Sequence, residues 1–507
     1  MKRDGVTRQG GLREAHIGHN SIASSVGPGV QSAPGTGLIY SRENPPKKFE
    51  PQGYSTLPAL VNIDQAFAAA LQQQRAGQFI EAAAAYRQIL EINPDQPEVY
   101  YNLGLVLKMR GQLTEAVAAY AQALNLRPRF PEAINNLGAT LESLGQLDEA
   151  EDIFRHALVL EPDSADGWSN LGGVLKDLGR LDESIACLQR AMELQPDNAR
   201  IHSNLLFTLH YSSKSNPSSL LHAAADWGRR HGATATNPDK SYRNIPTPDR
   251  RLRIGYLSGY FREHCQAFFT VPLFSHHDHS RFEIFGYSDV LAPDKVTSRL
   301  QGCSDTWRQT DNLNDTQVAE LIGRDQIDVL VDLTLHMAGH RLAVFARKPA
   351  PIQVTWLGYP GTTGLRAIDH RITDPHLDPA GSDNFYTEKS IRLPDSFWCY
   401  DPLTDHPLVN HPPASQSGHI TFGCLNNFCK VTENVLKLWA QVLRSVPDSK
   451  LLLLAPPGAS RARVKSKLGL TSDRVEFVAY QPRAEYLKLY HRIDLCLDTF
   501  PYNGHTT

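Results

Sequence analysis

The sequence predicts an α-solenoid followed by two α/β domains with parallel sheets, the second of them incomplete. Glycine and proline recur every 34 residues between about residues 60 and 211, which indicates stacked helix pairs. From residue 251 onward, strand-like and helix-like segments alternate, a pattern typical of doubly wound sheets. A chain of 507 residues is also too long for one hydrophobic core. The predicted parts are an N-terminal segment (1–58), a repeat array (59–211), a connector (212–250), a first α/β domain (251–402), an inter-domain loop (403–418) and a partial second α/β domain (419–507).

The composition is that of an ordinary globular chain. Apolar residues make up 41% and charged residues 21%, and a net charge of −3 gives no electrostatic basis for binding nucleic acid. No apolar run approaches the ~18–20 residues that span a bilayer, so we expect no membrane partner. The seven cysteines are scattered without a C-x-x-C pair, which argues against a zinc site or a disulfide framework. We therefore expect a cytoplasmic protein without a bound metal.

Residues 1–58 are rich in glycine, serine, proline and charge, and they lack hydrophobic periodicity. Such a segment cannot bury enough apolar surface to offset the entropy of ordering it, so we predict disorder. The chain begins Met1-Lys2-Arg3, but no apolar stretch follows that could form a signal peptide.

The repeats are pairs of amphipathic helices. Each glycine is followed by a helix with matched apolar positions, and each proline by a helix that carries a Leu-Gly pair. The small residue lets neighbouring helices approach closely, and the proline ends one pair before the next begins. This pattern resembles the tetratricopeptide repeat, whose arrays form a superhelix with a concave peptide-binding face. The recurring positions are Gly77, Gly111, Gly145 and Gly179, and Pro94, Pro128, Pro162 and Pro196.

An asparagine recurs in the same register, one residue before the leucine of each Leu-Gly pair. Its amide side chain can donate to and accept from a peptide backbone of any sequence. A column of four would therefore hold many different extended substrates, whereas a scaffold would not require them in register. Homodimerisation is a second use that such an array could have. We predict a peptide-binding track of Asn102, Asn136, Asn170 and Asn204.

The second half of the chain alternates strands and helices in two regions. Two such sheets with a cleft between them suit a nucleotide-sugar glycosyltransferase of the GT-B type, in which ligands bind beyond the carboxyl ends of the strands. The predicted strands are 251–258, 282–288, 327–333, 352–357 and 370–374 in the first region, and 420–425, 450–454, 475–478 and 495–497 in the second. The predicted helices include 218–230 in the connector, then 315–323, 343–347, 432–445, 460–468 and 483–490.

Two polar loops after strands are candidate ligand sites. The loop 349–364 is rich in glycine and threonine, and its exposed backbone N–H groups around Gly358 and Pro360 could reach a ligand. The stretch 425–430 follows a strand and opens a helix. A lysine beside the positive end of a helix dipole is unfavourable, so its presence suggests a bound anion. In this stretch we expect Asn426 and Asn427 to contact a nucleotide and Lys430 to neutralise a diphosphate.

Three histidines follow strands and are candidates for a general base or a hydrogen-bonding group. His264 comes after the first strand of the α/β half, and His336 and His340 come after the third. The residues alone do not choose among the three.

The last residues form a candidate phosphate site. After the strand 495–497, a Pro and Asn-Gly turn presents His505, Thr506 and Thr507. Hydroxyls and backbone N–H groups just after a strand can hold a phosphate. No Asp-x-Asp motif stands at a strand end, so we expect Lys430 and these groups, rather than a divalent ion, to meet the charge of a leaving diphosphate.

The repeat array and four motifs together resemble the protein O-GlcNAc transferase family, the SPINDLY-like proteins. The motifs are RIGYLSGYFREH, PAPIQVTWLGYPGTTG, LNNFCK and LDTFPYNGHTT, and the resemblance extends from about residue 60 to the end. It implies an inverting transfer of N-acetylglucosamine from UDP-GlcNAc, the donor substrate, to serine or threonine hydroxyls of proteins. Acceptor proteins would be guided by the repeats, and no cofactor is implied.

The resemblance also assigns roles to residues that match the family motifs. His264 matches the histidine described as proton acceptor, with substrate positioning as the alternative role, and Lys430 matches the lysine on the diphosphate. Asn427 stands where the family commonly has glutamine. His505, Thr506 and Thr507 match the turn that holds the phosphates in the family. The segment with Gln481, Arg483 and Tyr486 matches the one that contacts uracil, and Tyr486 stands where the animal enzymes have histidine.

Two departures from the family leave alternatives open. The uridine segment differs from that of the animal enzymes, so a different nucleotide sugar, or an asparagine acceptor as in related bacterial enzymes, is a second interpretation. The family also continues beyond the closing turn. We therefore expect a truncated second domain with unpaired strand edges, poor stability and no activity, which would leave a repeat-based interaction protein.

Overall fold

The structure is a computed structural model that describes residues 63–232, 241–247, 249–403 and 407–504. A helical array packs against two α/β domains with parallel sheets, which confirms the predicted fold class. The N-terminal segment predicted to be disordered and the closing residues 505–507 lie outside the described residues.

The repeat array consists of helix pairs that pack through the predicted Leu-Gly positions. At Gly138, a Cβ atom would lie 2.2 Å from the ring of Phe154, so only glycine admits the aromatic side chain of the next helix. Phe154 and its counterparts Tyr86 and Tyr120 are fully buried in the array core. The helices are α1 (Ile63–Arg75), α2 (Phe79–Ile92), α3 (Pro97–Met109), α4 (Leu113–Leu126), α5 (Pro131–Ser143), α6 (Leu147–Leu160), α7 (Ala165–Asp177), α8 (Leu181–Leu194) and α9 (Ala199–Leu209).

A connector helix, α10 (Pro217–Gly232), joins the array to the first α/β domain. Its Trp227 is fully buried, and the indole N–H donates to the carbonyl of Ala199 at the start of α9 (3.1 Å). The same side chain belongs to the core of the first domain, so α10 is packed on both sides.

The first α/β domain is built on a seven-stranded parallel sheet in the order β3-β2-β1-β4-β5-β6-β7. Its strands are β1 (Leu252–Ser258), β2 (Phe282–Ser288), β3 (Thr306–Gln309), β4 (Val329–Asp332), β5 (Ile352–Thr355), β6 (His370–Thr373) and β7 (Lys389–Arg392). Its helices are α11 (Ala267–Ser275), α12 (Lys295–Gly302), α13 (Asp315–Arg324) and α14 (Leu342–Ala346). Five of the strands match predicted ones. The edge strands β3 and β7 were not predicted because they are partly exposed and lack an apolar run.

The second α/β domain holds a four-stranded parallel sheet in the order β10-β9-β8-β11 within the described residues. All four strands match predicted ones. They are β8 (Thr421–Cys424), β9 (Lys450–Leu454), β10 (Val475–Val478) and β11 (Leu495–Cys496). The helices are α15 (Ala414–Ser417), α16 (Glu433–Ser445), α17 (Ala459–Leu468) and α18 (Arg483–Leu489).

The end of the repeat array touches both α/β domains, and we call these contacts the array junction. On the first domain, the Ser203 hydroxyl of α9 lies within hydrogen-bond distance of His336 Nδ1 (3.1 Å) and His340 Nε2 (2.8 Å). On the second domain, the ring of Tyr211 packs 4.8 Å from that of Tyr502. Because one rigid array contacts both domains, it fixes how they face each other.

A residue of the array also caps a helix of the second domain. The carboxylate of Asp148, in α6, accepts from the N–H of Ala459 at the start of α17 (2.8 Å). The approach is so close that a Cβ on Gly458 would lie 2.0 Å from the Asp148 carboxylate. Nearby, the Arg463 guanidinium of α17 donates to the carbonyl of Leu178 (2.6 Å). A carboxylate at the positive end of a helix dipole stabilises the helix, so the array holds α17 in place.

We predict that Asp148→Ala lowers the free energy of unfolding by about 1 kcal/mol, the usual loss when a helix cap is removed. Asp152→Ala, on an exposed position of the same helix, is the matched control and should change stability little. Chemical denaturation of the two variants measures the difference. Equal free energies of unfolding for the two variants would mean that the Asp148 cap does not stabilise the contact between the array and the second domain.

Candidate active site

His264, Lys430 and the turn 497–504 lie where the carboxyl ends of the two sheets face each other. His264 follows β1, Lys430 follows β8, and the turn 497–504 follows β11. Tyr502 of that turn packs against the cluster that contains Tyr260 and Tyr359 of the first domain, so the two domains approach each other here. The cleft therefore brings together residues that are far apart in the sequence.

Lys430 stands in a single 3₁₀ turn (Phe428–Lys430) just before α16, which begins at Glu433, close to the predicted start at residue 432. Its ammonium donates to the carbonyl of Asn503 (2.9 Å) and lies 4.6 Å from the ring centroid of Tyr502. Burial lowers the pKa of Lys430. A bound anion would favour the charged form, so the position suits a diphosphate.

Asp498, which sequence analysis missed, organises the turn that follows β11. Its carboxylate accepts from the N–H groups of Thr499 and Gly504 (both 2.7 Å) and from the Asn503 amide (3.0 Å). Burial would raise the pKa of Asp498, but these hydrogen bonds hold it below its usual value. The amide of Asn426, predicted to contact a nucleotide, is buried and donates to Asp498 (2.8 Å). The sequence signal that could have pointed to Asp498 is its place as a carboxylate directly after an apolar strand.

Asn427 differs from its neighbour because its side chain is exposed. Its side-chain oxygen accepts from the N–H of Cys429 (3.5 Å) and so starts the short turn that carries Lys430. The predicted contact between Asn427 and a nucleotide stays a prediction.

His264 is half-buried and lies at the cleft. Its ring stacks on that of Tyr260 at 4.3 Å, and Nδ1 accepts from the backbone N–H of Gln266 (3.2 Å). That hydrogen bond favours the neutral tautomer with its proton on Nε2. Burial, together with the charge of Arg262, lowers the pKa of His264 to about 3. The ring is therefore a neutral hydrogen-bond donor at neutral pH.

His336 and His340, the two other candidates, lie at the array junction, where His336 is buried and His340 is half-buried. Both lie beside Ser203, and His336 Nε2 lies 3.0 Å from the carbonyl of Thr363. Both rings also pack against Trp227, at 4.8 and 5.7 Å. Burial lowers the pKa of His340 to about 4. These histidines join the array to the first domain, and among the three candidates only His264 stands at the cleft.

The glycine-rich loop after β5 is mostly buried, so the expectation of exposed N–H groups is wrong for residues 361–364. Its two threonines donate to the buried carboxylate of Glu388. Tyr359 packs between rings of the repeat array. Gly358 and Pro360 are half-buried, and their contact with a ligand stays a prediction.

The predicted uridine segment bridges the two α/β domains. The guanidinium of Arg483 lies 4.4 Å from the ring of Phe268 and donates to the Tyr400 hydroxyl (3.1 Å), both in the first domain. Gln481 and Tyr486 are half-buried beside it, and the Tyr486 ring lies 5.8 Å from the guanidinium. A planar cation between aromatic rings can stack on a base.

The four asparagines of the predicted track occupy the same position in successive repeats, with Asn170 buried and the other three half-buried, and their role in peptide binding stays a prediction. Each amide nitrogen donates a hydrogen bond within the array, which fixes the orientation of the side chain. The acceptors are the Glu98 carbonyl for Asn102 (2.8 Å), the Glu132 carbonyl for Asn136 (2.9 Å), the Asn135 side chain for Asn170 (2.7 Å) and the Ser169 hydroxyl for Asn204 (3.3 Å).

Among the described residues, no group of three or more His, Cys, Asp and Glu side chains is arranged to hold a metal ion. A search of the same residues for helices long and apolar enough to cross a bilayer finds none.

Comparison with known proteins gives matches to both halves of the chain. The family model for glycosyl transferase family 41 matches residues 222–411 and 414–507, together more than half of the chain. A model for the middle TPR-like domain of cilia and flagella-associated protein 70 matches residues 67–195.

Individual proteins are also similar. The structure of a mutant O-GlcNAc transferase from Thermobaculum terrenum aligns with a TM-score of 0.72 at 35% identity, covering 88% of this chain and 79% of that one. Probable UDP-N-acetylglucosamine–peptide N-acetylglucosaminyltransferases named SPINDLY, from Solanum lycopersicum and Arabidopsis thaliana, are 36% identical over 60% of this chain. The chain spans about a third of the length of these plant relatives, 34% in each case.

We predict that His264 stays neutral between pH 8 and pH 5, because its pKa of about 3 lies well below the ordinary value of ~6.5. Nitrogen-15 NMR of labelled histidines, with assignment from the signal lost in His264→Gln, measures the titration. Arg262→Gln removes a nearby positive charge and should raise the pKa. A midpoint near 6.5 in the unaltered protein would contradict the prediction.

Proposed function

The chain belongs to glycosyl transferase family 41, and we propose that it transfers N-acetylglucosamine from UDP-GlcNAc to serine and threonine hydroxyls of proteins, with inversion at the anomeric carbon. The observation that carries the proposal is the contact of the Lys430 ammonium with the turn after β11, a turn whose Tyr502 packs against Tyr260 in the loop of His264. Relatives named for the transfer of N-acetylglucosamine to peptides support the donor and the acceptor class.

The donor would bind across the cleft with its diphosphate on Lys430 and on the turn ordered by Asp498. In this proposal, Lys430 exchanges its hydrogen bond to the Asn503 carbonyl for a phosphate oxygen, a stronger charge-assisted contact. The hydroxyls of Thr506 and Thr507 and the His505 side chain would complete the grip. Uracil would stack beside Arg483, with Gln481 and Tyr486 at its edge.

Transfer would proceed in one displacement. The acceptor oxygen forms a bond to the anomeric carbon while the bond from that carbon to the β-phosphate oxygen breaks, and UDP leaves with the electron pair. Lys430 stabilises the charge that develops on UDP, in place of a divalent ion. Since the proton of neutral His264 is on Nε2, this residue would orient the substrates by donating a hydrogen bond. The acceptor proton would pass to water or to a phosphate oxygen.

Acceptor proteins would reach the cleft along the repeat array. The amide nitrogens of the asparagine track are engaged within the array, so we propose that the side-chain oxygens accept from backbone N–H groups of an extended acceptor. Such contacts do not depend on the side chains of the acceptor, which suits an enzyme that modifies many proteins.

We predict that Lys430→Ala lowers kcat by at least ~100-fold, because the developing charge on UDP loses its cation. Lys437→Ala, an exposed lysine on α16, is the matched control and should leave kcat unchanged. The assay is transfer from UDP-GlcNAc to an acceptor protein, with the product mapped by mass spectrometry. A kcat close to that of the unaltered chain would remove Lys430 from the site.

The same mass spectra test the proposed specificity. Modification of serine or threonine with N-acetylhexosamine is the expected result. Modification of asparagine would overturn the acceptor assignment, and faster transfer from another nucleotide sugar would overturn the donor assignment. An unaltered chain that binds neither UDP nor UDP-GlcNAc would contradict the proposal as a whole.

We predict that replacing Asn102 and Asn136 together by alanine raises the KM for protein acceptors by roughly 30-fold, since the two hydrogen bonds contribute about 1 kcal/mol each. Hydrolysis of UDP-GlcNAc without acceptor should stay unchanged, because it does not use the track. Asn125→Ala, at an exposed position of α4, is the matched control. Equal loss of transfer and hydrolysis would contradict a peptide-binding role.

A further inference from the structure

Lys430 is held in place by aromatic packing as well as by hydrogen bonds. One of its three N–H donors is used on the Asn503 carbonyl, and the Tyr502 ring lies 4.6 Å from the ammonium. A ring face at this distance attracts a cation and restricts the directions in which the remaining donors can point. The position of the Tyr502 ring therefore limits the positions that the Lys430 ammonium can occupy.

Tyr502 does not hold this position through its own domain alone. Its ring packs 4.8 Å from Tyr211, which follows the last helix of the repeat array and is 5% exposed. Tyr211 is in turn packed against Phe207 of α9 in an edge-on arrangement at 5.2 Å. We call Phe207, Tyr211 and Tyr502 the aromatic column.

Tyr211 also contacts the residue that precedes Lys430 in the chain. Cys429 is 1% exposed and shares a buried cluster with Tyr211 and Leu181 of the array. The lysine is thus fixed from the array on two sides, through the ring beside its ammonium and through the backbone on which it stands.

We propose that Tyr211 is a positioning residue for the transfer reaction, which holds Lys430 in the geometry that binds the diphosphate of the donor. The repeat array is then part of the donor site as well as a track for acceptors. This inference rests on the proposed function, because it assigns the diphosphate to Lys430. Loss of the Tyr211 ring would let Tyr502 and Lys430 move and would weaken donor binding without any change at the asparagine track.

The test is calorimetric titration of the full chain with UDP. We expect Tyr211→Leu to weaken UDP binding roughly 10-fold, the loss that corresponds to one well-oriented cation contact. Tyr211→Phe keeps the ring and should bind UDP within about 2-fold of the unaltered chain. Phe130→Leu removes a buried ring from a part of the array whose packing partners are all repeat residues, so it controls for general destabilisation.

Tyr211→Met, whose longer and more flexible side chain can fill an irregular gap, replaces the leucine variant if that variant does not fold. The inference is overturned if Tyr211→Leu or Tyr211→Met binds UDP as tightly as the unaltered chain, or if Phe130→Leu weakens UDP binding equally. If the unaltered chain does not bind UDP, the proposed function fails.

A second measurement does not depend on UDP. The rate at which the Lys430 amine is acylated, followed by peptide mass mapping as a function of pH, reports its pKa. Burial lowers that pKa in the intact site, so loosening of the aromatic column in Tyr211→Leu should shift the midpoint upward. An unchanged midpoint would overturn the positioning role even if UDP binding were altered.

Discussion

The contact between the repeat array and the two α/β domains is the constraint on which the rest of the structure depends. Ser203 binds two histidines of the first domain, and Tyr211 packs on the turn of the second that bears Tyr502. A cleft between two domains is free to widen when a single hinge joins them. Here a third body spans the cleft, so its width and the distance between His264 and Lys430 depend on the array.

The polar groups of the candidate site show how a diphosphate can be bound beside a carboxylate. Asp498 lies next to the turn that would hold phosphate, and its negative charge would oppose an anion. Backbone and side-chain N–H groups of the turn donate to this carboxylate, so its charge is used to hold the turn in shape. Within the described part of the chain, the Lys430 ammonium contacts a carbonyl and a ring face, and neither contact prevents it from turning to an anion.

Periodicity and hydrophobic runs predicted most of the fold, because these patterns record local packing that any stacked helix pair or parallel strand requires. The 34-residue period placed the helices of the array, and all four strands of the second sheet were found. The strands Thr306–Gln309 and Lys389–Arg392 escaped prediction since edge strands bury little and need no apolar run. Residues 361–364 were predicted to be exposed because their composition resembles a turn, yet the connector helix α10 and the end of the array pack against them.

The sequence by itself determined the class of both halves and supplied the motifs that contain Lys430 and His264. The family resemblance singled out His264, but only the tertiary structure placed His336 and His340 at the array junction, because burial and partners depend on what packs against each ring. It also revealed that Asp498 orders the turn after β11 and that Tyr211 packs against Tyr502 and Cys429 beside Lys430. The reason is physical: a motif records which groups are present along the chain, whereas electrostatics and accessibility are set by elements hundreds of residues away.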